Sequence, residues 1–345
     1  MKRLVLVLLA LMNAEAFASK ARVNSLIGAD HVVDIQTAFT VPSHLLLLNP
    51  FLTFEMGAPG TDAEAGVMRK VANGNLMAYI GHQNTTASAA EGDIRTANAF
   101  TGQVNPVEIL YATGNMGFGG SISHSDNKSA ATKETTVIGK WGMNLAKESW
   151  AWANVQLVST AEKGAGGAKT SITASPYLSG GLSYAVSTMR YFGRLDLSKG
   201  KFDAAAGVTD KDLTDVNIAA GLEDRSLRTN AADIYYGAKF EYAKRSYDSK
   251  NVTSYALPVF VGIEAPLFSW MTVRASASQN VLIGSKKSEK TTPTTESDIQ
   301  ANTKVAAGLG FTHGSFTLDG SMTAALDGNI NGNQFLSQAS ITYNF

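Results

Sequence analysis

The sequence predicts an all-β fold: a single transmembrane antiparallel β-barrel of about sixteen strands. Three observations predict it. An export signal at the N-terminus is followed by no segment long and apolar enough for a helical span. Hydropathy has period two from about Phe51 to the last residue. Connections between the candidate strands alternate between long and short.

Composition sets the frame. Charged residues are 17% of the 345, and mean hydropathy is -0.03. That charged share is below the ~25% of soluble domains. The 32 Gly against 8 Pro suit many strands joined by tight turns. With no cysteine there is no disulfide scaffold and no thiolate metal site. A net charge of +0 carries no electrostatic footprint for nucleic acid.

The first element is the signal. Lys2 and Arg3 precede an apolar run from Leu4 to Met12, and Ala16-Phe17-Ala18 forms an A-x-A site. Residues 1–18 thus read as a cleaved signal peptide with Ala16 and Ala18 at the cleavage site. The apolar run is far shorter than the ~20 residues of a membrane-spanning helix. A mature chain placed in a membrane must then close as a barrel, because only helices and closed barrels pair every backbone group in hydrocarbon.

Residues 19–50 precede the first clear strand. They hold His31, Asp34, His44 and the run Leu45 to Leu48, too apolar for a solvated extension. Two readings stand: a plug folded into the lumen, or a further strand.

The barrel is expected over 51–345. In Ile234 to Tyr242, Ile234, Tyr236, Ala238, Phe240 and Tyr242 share one face, and Tyr235, Gly237, Lys239 and Glu241 the other. Tyr255 to Ile263, Lys304 to Thr312 and Phe316 to Thr323 repeat the pattern. Apolar faces would meet lipid and polar faces the lumen. Strands are expected near 51–57, 64–70, 75–82, 107–113, 116–124, 134–145, 148–159 and 170–185. Eight more follow near 188–198, 214–223, 231–246, 253–265, 269–279, 302–312, 315–325 and 335–345. Short turns (Val71–Gly74, Gly114–Asn115, Ala146–Lys147, Val186–Ser187, Pro266–Phe268, His313–Gly314) alternate with longer loops such as 83–106, 199–213 and 280–301. A soluble sandwich has no reason to keep that parity, whereas a barrel with short periplasmic turns does. Sixteen strands place both termini in the periplasm. Counts of fourteen to eighteen fit the same pattern.

Aromatics gather beside the short turns: Trp141, Trp150 and Trp152, then Phe268 and Trp270, Phe311 and Phe316, Tyr343 and Phe345. They are expected to form an aromatic girdle. The last strand alternates, with Ala339, Ile341, Tyr343 and Phe345 on one face and Gln338, Ser340, Thr342 and Asn344 on the other. It resembles the terminal strand of bacterial outer-membrane proteins. That resemblance implies that Ile341, Tyr343 and Phe345 are the signal read by the barrel-assembly machinery. It also implies a Gram-negative outer membrane, with its lipid and lipopolysaccharide as surroundings.

In size, loop parity and the Ser340-Ile341-Thr342-Tyr343-Asn344-Phe345 ending, the mature chain is similar to the general porins. These are sixteen-stranded, commonly trimeric diffusion channels, so a homotrimer is implied. Their inward-folded third outer loop carries a Pro-Glu-Phe-Gly-like motif, which loop 83–106 lacks. The stretch Ala21-Arg22-Val23-Asn24-Ser25-Leu26 and the Asn49-Pro50 strand start resemble the major outer-membrane protein of predatory deltaproteobacteria.

Alternation assigns the pore-lining charges. Inward bases are Lys140, Arg190, Arg194, Lys239, Arg245, Arg274 and Lys304. Inward acids are Glu108, Asp196, Glu223, Glu241, Glu264 and Asp319. The two sets nearly cancel, so weak ion selectivity is expected. Arg190 and Arg194, with Asp196 beside them, read either as a basic ladder or as ion pairs stiffening the wall. Asp203, Asp210 and Asp212, with the adjoining Asp215, crowd loop 199–213, read as a solvated loop. Catalysis is not expected: no G-x-S-x-G elbow is present, and only His82 and His124 lie near outer strand ends. No cofactor is expected. These readings sum to a passive channel for small hydrophilic solutes and ions. The rivals are a plugged barrel for hydrophobic solutes and a structural or adhesive barrel.

Overall fold

The computed structural model describes residues 20–56, 63–84, 100, 103–146, 148–164, 169–174, 176–203, 211–247, 250–288, 295–298, 303–325 and 338–345. The signal residues, including Ala16 and Ala18, lie outside them. Most of the described chain is strand. The segments are β1 Phe51–Met56, β2 Glu64–Val71, β3 Gly74–Ile80, β4 Val107–Thr113, β5 Met116–Asn127 and β6 Thr132–Ala146. Next come β7 Ser149–Lys163, β8 Thr170–Thr173, β9 Tyr177–Val186, β10 Met189–Asp203, β11 Lys211–Asp224 and β12 Asp233–Tyr247. The last are β13 Lys250–Phe268, β14 Met271–Ser288, β15 Thr295–Asp298, β16 Lys304–His313, β17 Phe316–Ala325 and β18 Gln338–Asn344.

Each pairs antiparallel with its neighbours, and β1 closes the cylinder on β18 from Phe51↔Asn344 to Met56↔Ala339. Segments β8 and β9 both bridge β7 and β10, so they are one stave interrupted near Pro176. Proline has no N–H for the ladder, which accounts for a break there. Segments β15 and β16 both pair with β14 and form one stave likewise. The eighteen segments therefore make a closed barrel of sixteen staves.

The short turns lie at one end of the barrel, beside the Phe51–Asn344 pair. Gly114 and Gly314 turn there with φ of 63° and 60°, the left-handed backbone that two-residue hairpins demand. Ala72, Glu148 and Ser187 adopt it with a side chain present. The exception is Arg225 to Ala232, a longer turn closed by its own bond from Thr229 N to Ala232 O.

At the opposite end the staves exceed expectation. Strand β10 runs to Asp203, β14 reaches Ser288, and β15 lies inside the stretch read as loop 280–301. The apolar half of the period-two signal fades there, while the backbone ladder needs no apolar side chain to continue.

Burial inverts the rule of soluble proteins. Phe54, Met56, Ile109, Ile122, Leu157, Val261 and Ile341 are exposed, whereas Thr53, Glu108, Ser123, Gln156, Ser179 and Thr342 are buried. The apolar face is outside and the polar face inside, as a lipid-facing barrel requires.

Residues 20–50 add no strand to the sheet. They form α1 Lys20–Ser25, α2 Ile35–Ala38 and a 3-10 turn, Pro42–Leu47. Asp34 caps α2 and Thr37 bonds back to it, a reciprocal capping box. Ile35, Phe39, Leu45 and Leu48 cluster with Met68, Met77, Tyr79 and Leu110, all inward-facing on β2, β3 and β4. These strands are apolar on both faces because this segment covers the inner one. Glycine makes the fit: a Cβ on Gly117 would stand 2.3 Å from the Pro42 backbone, and one on Gly142 3.0 Å from its ring.

Candidate functional site: the lumen and its floor

The N-terminal segment is tied to the inner wall by one polar contact after another. Arg22 binds Glu264 through Nε and Nη2 at 3.0 and 2.9 Å, and donates Nη1 to Asp34 at 3.4 Å. Glu264 accepts Arg274 Nε at 2.7 Å, and Arg274 Nη1 reaches Asp319 at 2.5 Å. Five groups of alternating sign, Asp34-Arg22-Glu264-Arg274-Asp319, thus cross from the segment to β17. Ser276 Oγ receives Ile27 N and donates to Ser25 O, both at 2.9 Å. Asp30 N and His31 Nδ1 both meet Glu223, at 2.9 and 2.8 Å. On the far wall Ser43 donates to Asn144 at 2.9 Å, and Asn75 donates to Leu45 O at 2.6 Å.

His44 sits at the centre of this floor. Its Nδ1 is 2.9 Å from Thr37 Oγ1, and its ring meets Trp150 edge-on at 4.5 Å. Burial, reinforced by the positive Arg190, pushes its pKa down to about 3. The ring is therefore neutral at neutral pH. Arg190 lies over the Trp150 ring at 4.4 Å and within 3.8 Å of Glu223.

The wall charges expected inside fall into two groups. Lys140, Glu108, Arg190, Glu223, Glu264, Arg274 and Asp319 are enclosed around the N-terminal segment. Lys140 bonds Glu108 and Asn84, each at 2.5 Å, and lies 5.6 Å from the Phe39 ring, which stacks on His82 at 3.7 Å. Arg194, Asp196, Lys239, Glu241, Arg245 and Lys304 line the open cavities above that segment or the wall beyond it. Arg194 Nε reaches Asp196 at 2.8 Å, Lys239 reaches Glu241 at 2.6 Å, and Arg245 stands 3.6 Å from Asp215. Among the described residues Lys304 has no ion-pair partner. Of the two readings of Arg190 and Arg194, the contacts show ion pairs: Arg190 is sealed beneath the segment, and inward-facing Phe192 separates the two.

Two girdle expectations need correction. Trp150 is only 4% exposed, against 50% for Trp270, and Trp152 lies under Arg194 at 5.5 Å. Both point into the lumen. Proximity to a short turn sets a residue's height on the barrel but not its side. Trp150 and Trp152 share parity with the polar Asn154 and Gln156, a signal that does set the side. Phe268, Trp270 and Phe311 stack outside at 5.3 and 6.0 Å, and Phe316, Tyr343 and Phe345 continue the exposed belt at 4.8 and 5.4 Å. Ile341 is exposed on the outer face.

Sequence reasoning missed the residues that receive the segment. Asn75, Asn144, Asn154 and Ser276 are ordinary polar lumen positions by pattern, and only the segment's own path selects them. Flanks of loop 83–106 also turn inward: Asn84 bonds Lys140, and Phe100 packs on Phe202, Ile172 and Leu213. The stretch 85–99 lies outside the described residues, as does Asp210. Asp203 pairs with Lys201 at 2.8 Å. Among the described residues no group of three His, Asp or Glu is arranged to hold a metal ion. His82 bonds Glu108 at 3.2 Å, and the exposed His124 bonds Thr135 at 2.9 Å.

Above the floor the lumen opens. A cavity of about 880 Å³ rests on Val23, Ile27, Trp152 and Phe192 and is rimmed by Arg194, Lys239, Glu241 and Lys304. It adjoins one of about 570 Å³, lined also by Asp196, Asn217 and Ser278, and one of about 350 Å³ beside Gln36, His82 and Asn154. Arg194 lines all three.

The chain matches no protein-family model and none of the curated proteins. Among solved structures it is similar to the CymD monoaromatic hydrocarbon channel, at 10% identity over 94% of this chain and 97% of that one, with a TM-score of 0.44. The outer membrane channel DcaP of Acinetobacter baumannii matches at 11% identity over 86% and 96%, with a TM-score of 0.43. OmpT, an outer membrane protein of Vibrio cholerae, matches at 10% over 86% and 95%, with a TM-score of 0.40. Nothing among these likenesses supports the finer resemblance to the deltaproteobacterial protein.

Proposed function

We propose that this chain is an outer-membrane channel for small hydrophilic solutes and ions, whose passage is governed by residues 20–50. The observation that carries the reading is a polar lumen, open toward the long-loop end, with a buried floor at the short-turn end. Side chains of Glu223, Arg274 and Asp319 are sealed from solvent by that floor. A sixteen-stave barrel without it would hold an aqueous channel. The floor is held by hydrogen bonds and ion pairs along β11, β13 and β14 and by apolar packing of Ile35, Phe39, Leu45 and Leu48 on β2, β3 and β4, so its release exchanges the polar contacts for water and exposes the apolar ones. The paired charges of the upper lumen favour weak ion selectivity.

The exposed apolar face and the aromatic belt suit a lipid bilayer. With a cleaved signal and an outer-membrane-type last strand, we place the protein in a Gram-negative outer membrane, assembled by the barrel machinery and facing lipopolysaccharide. Short turns and both termini then lie in the periplasm. A non-catalytic role and a homotrimer complete the proposal. Planar-bilayer recording of the folded chain tests it. Weakly selective, ohmic steps interrupted by long closures are expected, and silent insertion would sink it.

A further inference from the structure

The cavity on the floor has a chemistry of its own. Its base presents Val23 and Ile27 from the N-terminal segment and Trp152 and Phe192 from the wall, beside the polar Asn24, Gln36 and Thr40. Its rim is charged, and Asp30 of the floor also lines it, bonded to Ser183 and 3.9 Å from Arg190. Arg194, Lys239 and Lys304 face Asp196 and Glu241 around one space. Arg194 is matched by Asp196 at 2.8 Å and Lys239 by Glu241 at 2.6 Å. With Asp30 engaged by Arg190, Lys304, exposed and without an ion-pair partner among the described residues, is the unmatched charge of the rim. Arg194 keeps 49% of its side chain exposed toward the space.

A partly apolar base beneath a cationic rim complements an organic anion with an apolar body. An inorganic anion would gain nothing from the base. A neutral hydrocarbon would gain nothing from the rim and would leave its lysine unpaired. The volume, about 880 Å³, is ample for a small molecule, within the roughly 300–1,000 Å³ of ligand sites.

We propose that this cavity binds small monocarboxylates with an apolar or aromatic body. The carboxylate is held at the Lys304 and Lys239 side of the rim, and the body lies on Trp152, Phe192 and Ile27. Because Val23 and Ile27 belong to the segment that forms the floor, a bound carboxylate would touch the part that opens. The proposal deepens the channel reading but is measured without conductance.

Isothermal titration of the full, folded chain in detergent with benzoate tests it, with benzyl alcohol and chloride as controls. Saturable benzoate binding is expected, with neither control binding over the same range. Lys304→Gln, checked for retained heat-modifiable gel mobility, should weaken benzoate by about tenfold, the effect of one lost ionic contact of ~1.4 kcal/mol. Glu241→Gln, which removes an opposing carboxylate, should tighten it. No saturable benzoate binding, equal binding of benzyl alcohol, or an unchanged affinity in Lys304→Gln would each overturn the site. A silent barrel that still binds benzoate would sink the channel reading alone. A conducting barrel that ignores benzoate would sink this site alone.

Discussion

The two ends of the lumen use the same residue types to opposite effect. Near the short turns, Arg274 joins Glu264 and Asp319 with none of its side chain exposed. Farther up, Arg194 joins Asp196 with 49% of its side chain exposed. Both are inward arginines on barrel strands, each beside an inward carboxylate. What differs is the cover: residues 20–50 remove water from the first pair and leave the second in contact with it. A buried pair stripped of one partner leaves an uncompensated charge in low dielectric, whereas an exposed pair merely exchanges its partner for water. The lower pair is therefore shut away from water and the upper pair is open to it.

Removing the cover should give the largest change. Deleting residues 20–48 leaves the β1–β18 closure intact and should raise single-channel conductance several-fold while abolishing long closures. An unchanged conductance would mean that the floor does not obstruct the path. Next in size is Arg274→Leu, which strands Glu264 and Asp319. It should cost roughly 3–5 kcal/mol, read as a lower temperature of conversion to the slow-migrating unfolded band on gels. Arg194→Leu should cost no more than ~1 kcal/mol by the same assay, yet shift ion selectivity toward cations. Equal losses for the two arginines would erase the distinction between the ends.

A smaller effect depends on pH. His44 has its pKa lowered to about 3 when docked, from an ordinary value near 6.5. A neutral docked ring and a protonated free one mean that docking is fully supported above pH ~6.5. That support is lost progressively as pH falls toward 3. Channel openings should become more frequent across that window. Burial pushes the Asp34 carboxyl up, which works in the opposite sense, so the comparison is made with His44→Phe. This variant should show a weaker rise in openings on acidification. An identical pH profile in the two proteins would remove His44 from the mechanism.

The barrel was legible in the sequence because its determinants are local. Parity of side chains decides the face, and turn residues decide the short connections. Hence the stave number and the outward faces of Phe54, Ile109 and Ile341 follow from pattern alone. The floor was not legible in the same way. Residues 20–50 have neither helical nor strand period over any useful length. Their conformation comes from the wall, from the space that Gly117 and Gly142 leave for Pro42 and from Ser276 and Glu223 bonding backbone amides. The run Leu45 to Leu48, too apolar for a solvated extension, was the visible trace of a covering segment.

In the proposed channel, residues 20–50 must detach from the wall for solute to pass. The chain has no cysteine, so a single engineered pair tests this cleanly. Ser43 and Asn144 are in hydrogen-bond contact at 2.9 Å across the floor. In Ser43→Cys/Asn144→Cys, bilayer recordings under oxidising conditions should show no large steps, and adding reductant should restore openings of the unmodified protein's size. Full conductance with the disulfide closed, confirmed by labelling for free thiols, would show that solute passes beside a fixed segment and would contradict the account.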